Sequence, residues 1–264
     1  MTRKIALVTG ASSGIGQEIA KQFAKAGIDL VLVARRGQVL ETLANELTDH
    51  YPVSATVLSC DLSDQSQIDH LIKAVAAFGP LDFVVHAAGL GIFNAIGDFD
   101  FDQIQNQFSV NTIAAIYLTN QLIKHDLIQR GGHLLYLASI AGKIVTPSSS
   151  VYSATKAALQ AFARGIRMEL KRRDIKVTLI NPGPVDTPFF SHSDLAQNYY
   201  ENVKQWTQKP EHIGHQVVNL ALKQVNRRQL DTPIYLGVIA GLTWLLPRIS
   251  DWLILNGFNF KEKK

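Results

Sequence analysis

Seven short runs rich in Val, Ile and Leu alternate with longer stretches of helical period along this 264-residue chain. The runs fall at 4–9, 29–34, 53–58, 82–86, 132–137, 175–180 and, less sharply, 232–236. Leu30-Val31-Leu32-Val33 and Phe83-Val84-Val85 are apolar at every position, as strands covered on both faces must be. Helical patterns fill 14–26, 37–48, 64–77, 101–129, 151–173 and 211–225. Such alternation leaves few folds open, because parallel strands need crossover helices and those crossovers are right-handed. The expected fold is α/β: a doubly wound parallel sheet of about seven strands with helices on both faces. Asp61-Leu62-Ser63-Asp64 ahead of one helix, and Gly27 and Gly79-Pro80 after others, fit helix boundaries. No linker divides the chain, so 1–264 reads as a single domain.

Two stretches break the rhythm. Residues 186–210 hold two prolines, Phe189-Phe190, Tyr199-Tyr200 and Trp206 without a clean strand, and read as a lid-like insertion. The second is an apolar C-terminal extension over 237–264, considered below.

Composition excludes more than it assigns. With 47% hydrophobic residues the chain can bury a sizeable core, and its net charge of +4 is mild. No Lys/Arg run resembles a nucleic-acid arm, and Lys171-Arg172-Arg173 ends a helical segment, where cations suit the dipole. The single cysteine, Cys60, falls at a strand end and reads as an inert core thiol. His133, His192, His212 and His215 share no ligand spacing with Cys or acids, so no metal is expected and they read as solvated surface histidines. The first strand begins almost at Met1, which leaves no room for a signal peptide, and a cytoplasmic setting is expected.

Gly10, Gly14 and Gly16 lie where the first strand turns into the first helix, within Gly10-Ala11-Ser12-Ser13-Gly14-Ile15-Gly16. Glycines there let a pyrophosphate approach backbone N–H groups at a helix N-terminus, and Ser12 and Ser13 add hydroxyl donors. Placed after a strand and before an amphipathic helix, this is the dinucleotide-binding turn of a Rossmann-type sheet. An acid ending the second strand would suit the ribose hydroxyls of NAD, but Ala34 is followed by Arg35-Arg36. Guanidinium groups clamp a 2′-phosphate, so NADP(H) is the expected cofactor. The alternative is that both arginines merely end a strand in solvent.

Tyr152 and Lys156 are one helical turn apart, and Ser139 lies just beyond the fifth strand, at the carboxyl edge where such sheets bind ligands. A phenol titrates near 10, too high to shuttle protons readily at neutral pH, and a nearby ammonium lowers that value. The serine hydroxyl can hold a substrate oxygen against the phenol.

Over residues 4–240 the chain resembles the short-chain dehydrogenase/reductase family, in its NADP-preferring branch. The resemblance rests on Thr9-Gly10-x-x-x-Gly14-x-Gly16, Asp61-Leu62, His86-Ala87-Ala88-Gly89, Asn111, Ser139, Tyr152-x-x-x-Lys156 and Asn181-Pro182-Gly183-x-x-x-Thr187. It implies a catalytic set of Asn111, Ser139, Tyr152 and Lys156. Tyr152 would be the general acid or base and Ser139 would orient the carbonyl. Lys156 would hold the nicotinamide ribose and depress the phenol pKa. Asn111 would sit at a helix distortion and support a water leading to Lys156. The cofactor would lie along Gly10, Ser12, Ser13, Gly14, Ile15, Gly16, Arg35, Arg36, Asp61, Leu62, Ala88, Gly89, Tyr152, Lys156, Pro182, Gly183, Val185 and Thr187. Asp61 would meet the adenine amino group and Thr187 the carboxamide. Where the family commonly has two asparagines, His86 and Ala87 stand here; a changed hydrogen bond beside the cofactor is expected, not lost activity.

The implied chemistry is reversible hydride transfer between an alcohol and a carbonyl. Phe93 and the aromatics of the insertion suggest a hydrophobic ketone or aldehyde, an acyl-chain or lipid-like carbonyl, unless they only anchor the insertion. An NADP-binding sensor without turnover is the alternative, and the complete proton-transfer set argues against it. The resemblance implies a homodimer or homotetramer built on the helices at 101–129 and 151–173. The extension runs from Ile234 to Leu246, breaks at Pro247-Arg248, continues through Trp252-Leu253-Ile254-Leu255 and ends Lys261-Glu262-Lys263-Lys264. Its uninterrupted apolar part is too short to span a bilayer, which takes ~20 residues. It can cover the substrate pocket, join subunits or lie at a membrane surface, the last being the least expected.

Overall fold

The computed structural model describes residues 3–192 and 194–257. Its centre is one parallel sheet of seven strands in the order β3-β2-β1-β4-β5-β6-β7. The strands are β1 Ile5–Thr9, β2 Asp29–Ala34, β3 Ala55–Ser59, β4 Leu81–His86, β5 Ile128–Leu137, β6 Lys176–Pro182 and β7 Gln229–Thr232. The order reverses between β1 and β4, where Thr9 pairs with His86, and this switch point opens a crevice at the carboxyl edge.

The unbroken apolar character of the strands follows from two cores. One lies under α1 (Gly14–Lys25), α2 (Gly37–His50) and α8 (Pro210–Leu222), the other under α3 (Gln65–Val75), α5 (Ala114–Lys124) and α6 (Ser150–Glu169). Successive strand residues serve opposite faces: Leu30 and Leu32 enter the first core, Val31 and Val33 the second. Phe23 of α1 stacks on Phe83 of β4 with ring centroids 5.1 Å apart, tying the first layer to the middle of the sheet. Asp64 caps α3, accepting from the Ser66 N–H at 2.8 Å.

Two expectations need correction. The stretch 101–129 is not one helix: α4 (Phe101–Phe108) passes through a π turn at Ser109–Ile113 into α5, which stops at Lys124. Asp126 takes a left-handed φ of 53° and the chain enters β5 already at Ile128. The last strand is Gln229–Thr232, not 232–236, because Pro233 has no N–H to continue a ladder. From Ile234 the run coils into α9 (Ile234–Leu245), followed by α10 (Pro247–Gly257). The segment 186–210 is largely helical, with a 3₁₀ turn at Pro188–His192, α7 (Asp194–Val203) and a second 3₁₀ turn at Lys204–Trp206. The terminal Lys261-Glu262-Lys263-Lys264 lies outside the described residues.

Candidate active site

At the first crossover the backbone leaves no room for side chains. Gly10 has φ +67°, and a Cβ there would fall 2.7 Å from the Ala88 backbone. A Cβ on Gly16 would fall 2.4 Å from the Gly10 carbonyl oxygen. Ser13 precedes α1 with extended backbone and makes no side-chain cap, and no acid occupies the first turn. The helix N-terminus therefore keeps its N–H groups for an anion, and the turn fits a pyrophosphate. Arg36 reaches back over this turn, its Nη2 donating to the Ser12 hydroxyl at 3.0 Å and to the Ser12 carbonyl at 3.2 Å. Arg35 is exposed at the end of β2, its carbonyl accepting from Ser59 Oγ at 3.2 Å.

The floor of the crevice is held by backbone-to-hydroxyl bonds. Thr9 Oγ1 accepts from the N–H groups of Ala87 (3.1 Å) and Ala88 (3.2 Å), joining β1 to the chain beyond β4. The Asp61 carboxylate accepts from Ser63 N at 2.9 Å and Ser63 Oγ at 2.7 Å. Leu62, Ala88 and Asn111 line one small cavity with Thr9 and His86. Beyond β6, Val185 is buried and bridges to Gln208, while the Thr187 side chain lies 3.1 Å from where a Gly14 Cβ would project. The segment after β6 thus meets the glycine turn.

Ser139, Tyr152 and Lys156 come together at the same edge. Tyr152 and Lys156 share the buried face of α6, and the Lys156 ammonium lies 5.7 Å from the phenol ring centroid. Lys156 Nζ donates to the Leu137 carbonyl at 3.1 Å, and Ser139 hydrogen-bonds the Tyr152 hydroxyl. A Cβ on Gly89 would sit 3.4 Å from Lys156 Nζ and 3.6 Å from Asn111 Oδ1, so these residues also converge. Asn111 lies in the π turn; its carboxamide accepts from Leu90 N at 2.7 Å and donates to Leu90 O at 2.8 Å and Thr155 Oγ1 at 3.0 Å.

Burial governs the protonation of the pair. It holds the Lys156 ammonium down to about 8 and pushes the Tyr152 phenol well above its ordinary value, against the lowering effect of the Ser139 bond. Aromatic rings contribute to that burial. Phe93 packs on Tyr152 at 5.4 Å between centroids and Phe189 at 5.6 Å. Phe189 is seated against Gly91, where a Cβ would fall 2.3 Å from its ring. Phe190, Tyr199 and Tyr200 back this cluster from the inserted segment, but Trp206 stands half exposed outside it.

A buried polar chain behind Ser139 escaped sequence reasoning. Gln160 Nε2 donates to the Ser139 carbonyl at 2.8 Å and to Asn181 Oδ1 at 3.1 Å. Asn181 Nδ2 then donates to Asp231 at 2.8 Å, and Lys143 Nζ pairs with the same carboxylate oxygen at 2.5 Å. Gln160 was findable, being one turn beyond Lys156 on the same helix face; the pairing of Lys143 with Asp231, 88 positions apart, had no local signal. His86 is an uncharged core residue, stacked on Tyr136 at 4.6 Å and bonded to Thr119 Oγ1 at 3.0 Å, with burial holding it down to about 3. His133 is not a surface histidine: β5 runs between β4 and β6, and its ring is buried against Thr178 Oγ1 at 2.9 Å and pushed down to about 4. His212 and His215 are exposed, and the His192 side chain is outside the described residues.

The family described as short chain dehydrogenase matches residues 4–198. An uncharacterized oxidoreductase of Staphylococcus epidermidis is 37% identical over 219 residues, 80% of this chain and 94% of that protein. Among solved structures, L-sorbose reductase of Gluconobacter frateurii, complexed with NADPH and L-sorbose, superposes with a TM-score of 0.79 at 27% identity, covering 88% of this chain and 95% of that one. An alcohol dehydrogenase of Thermococcus sibiricus, complexed with 5-hydroxy-NADP, gives 0.77 at 27% identity, covering 87% and 96%. The chain belongs to the short-chain dehydrogenase family, and it is an oxidoreductase acting between CH–OH and C=O.

Proposed function

We propose that the protein is an NADP(H)-dependent reductase of an apolar ketone or aldehyde. The convergence of Ser139, Tyr152 and Lys156 beneath an aromatic cover carries the reading. Arg36 over Ser12 and exposed Arg35 supply two guanidinium groups where a 2′-phosphate would lie, and similar structures are complexed with NADPH and an NADP derivative. The bound cofactor supplies or takes the hydride at the carbonyl carbon. Tyr152 donates its proton to the carbonyl oxygen, Ser139 orients that oxygen, and Lys156 holds the nicotinamide ribose. Asn111 fixes the loop after β4 through Leu90, keeping Ala88 and Gly89 beside Lys156. Asp61 and Leu62 would meet the adenine, while Pro182, Gly183, Val185 and Thr187 would wall the nicotinamide end. Exposed Phe101 of α4, Ile113 of the π turn and Met168 of α6 suit a homo-oligomer contact.

A panel of ketones and aldehydes graded by chain length, followed by NADPH absorbance, tests the assignment. Turnover should favour the longer apolar members, and Tyr152→Phe should lower it by about 10²–10⁴-fold. NADPH binding by that variant should stay within a few-fold of wild type. Wild-type turnover in Tyr152→Phe on an accepted substrate refutes the mechanism.

A further inference from the structure

Helix α9 is built inside out for a helix in water. Its small residues face the protein: Ala240 is buried, and Gly237 lies so close to Asp231 that a Cβ would fall 2.4 Å from the carboxylate. Most of its large described residues face outward, the reverse of an ordinary surface helix, while Leu236 packs toward Gly183. Val238, Leu242 and Leu245 recur every three or four positions within α9, as do Ile249, Trp252 and Leu255 within α10, and each is more than half exposed. No helix among the described residues is long and apolar enough to cross a membrane, and a 12-residue helix rises only ~18 Å against a hydrocarbon core of ~30 Å. The stripe can therefore lie along a bilayer but not through it.

Charge selects the occupant. Arg248 is the only charged residue between Ile234 and Ser250. From Ile234 to the end of the chain, Arg248, Lys261, Lys263 and Lys264 outnumber Asp251 and Glu262. A second copy of the chain would bring the same cationic excess to the contact. Anionic headgroups answer it, while aromatic and aliphatic side chains enter the boundary below them. We propose that α9 and α10 dock this protein, flat, on an anionic lipid bilayer. The proposal does not depend on the reductase assignment, and its test needs no turnover.

The full chain is sedimented with vesicles of phosphatidylcholine alone, or of phosphatidylcholine mixed with phosphatidylglycerol, and its tryptophan emission is followed. Wild type should pellet with the mixed vesicles at low salt, with emission shifted to the blue. Binding should fall at least tenfold with phosphatidylcholine alone or at high salt. Leu242→Glu with Leu245→Glu should lose binding at least tenfold. Arg248→Glu, a separate exposed site, should weaken binding to mixed vesicles and leave binding to phosphatidylcholine unchanged. Wild type remaining in the supernatant with mixed vesicles overturns the proposal. So does a lipid-free dimer that the double variant splits, which would assign the stripe to a second copy.

Discussion

At the glycine turn the charged groups stand in water. Arg35 and Arg36 are exposed, and the Arg36 guanidinium is held through Ser12. Around Tyr152 the reverse holds: the phenol and the Lys156 ammonium are buried, and Phe93 and Phe189 flank the ring. The difference matches two tasks along one crevice. A phosphorylated ligand must be recognised from solvent, where its charge is met at modest desolvation cost. Proton transfer gains from a dry site, where fixed dipoles act at low dielectric and burial sets the pKa values.

The recognition end can be broken by removing one cation. Arg36→Ala deletes the guanidinium that spans Ser12, and a charge-assisted bond of this kind contributes about 1.5–3 kcal/mol. The KM for NADPH should rise by about 10–100-fold with kcat little changed, and the KM for NADH should stay level. Steady-state kinetics with both cofactors decides it. An equal effect on NADPH and NADH would mean that Arg36 only braces the turn.

The dry end should reveal itself in the pH profile. Burial lowers Lys156 to about 8, so its ammonium is present below that pH and lost above it. Burial raises Tyr152, so the phenol stays largely protonated through neutral pH and the loss of its proton moves to higher pH. Reduction, which needs a proton on Tyr152 beside a charged Lys156, should run level below about 8 and fall above it. Oxidation, which needs that proton removed, should be slow at neutral pH and climb with pH. Plots of kcat in both directions check the signs. Level reduction to pH 10 would mean that bound ligands hold Lys156 near its ordinary value.

The sequence disclosed these two ends unequally. Gly10, Gly14 and Gly16 and the pair Tyr152 and Lys156 are legible because each relation spans a few residues along one turn or one helix face. The sheet is legible because strands buried on both sides have no polar positions to confuse the period. What stayed hidden depends on separations that one sequence does not encode. The pairing of Lys143 with Asp231 is one case. His133 is another, because only the sheet order shows that β5 has a strand on each side. The last strand was misplaced for a physical reason: the apolar residues from Ile234 suit a buried strand, but the strand ends before Pro233 and they open an exposed helix.

The smallest expected effect tests whether the cover itself makes the proton-transfer end dry. Phe189 has its ring 5.6 Å from that of Tyr152 and 6.3 Å from that of Phe93, and it sits where a Cβ on Gly91 would project. Phe189→Ala removes one wall of the phenol and one apolar surface offered to substrate. An aromatic contact of this kind contributes about 0.5–1.5 kcal/mol beyond its buried area, so the KM for an apolar ketone should rise about 2–10-fold. Water reaching the hydroxyl should also bring the phenol back toward its ordinary range, shifting the rise of oxidation to lower pH. Gly91→Ala gives the sharper comparison, because it displaces the Phe189 ring without deleting it. Should both variants move the pH profile while only Phe189→Ala raises KM, the ring's position keeps the site dry and its surface binds substrate. Should neither move the profile, the protein beneath the aromatic cover sets the phenol's proton affinity unaided.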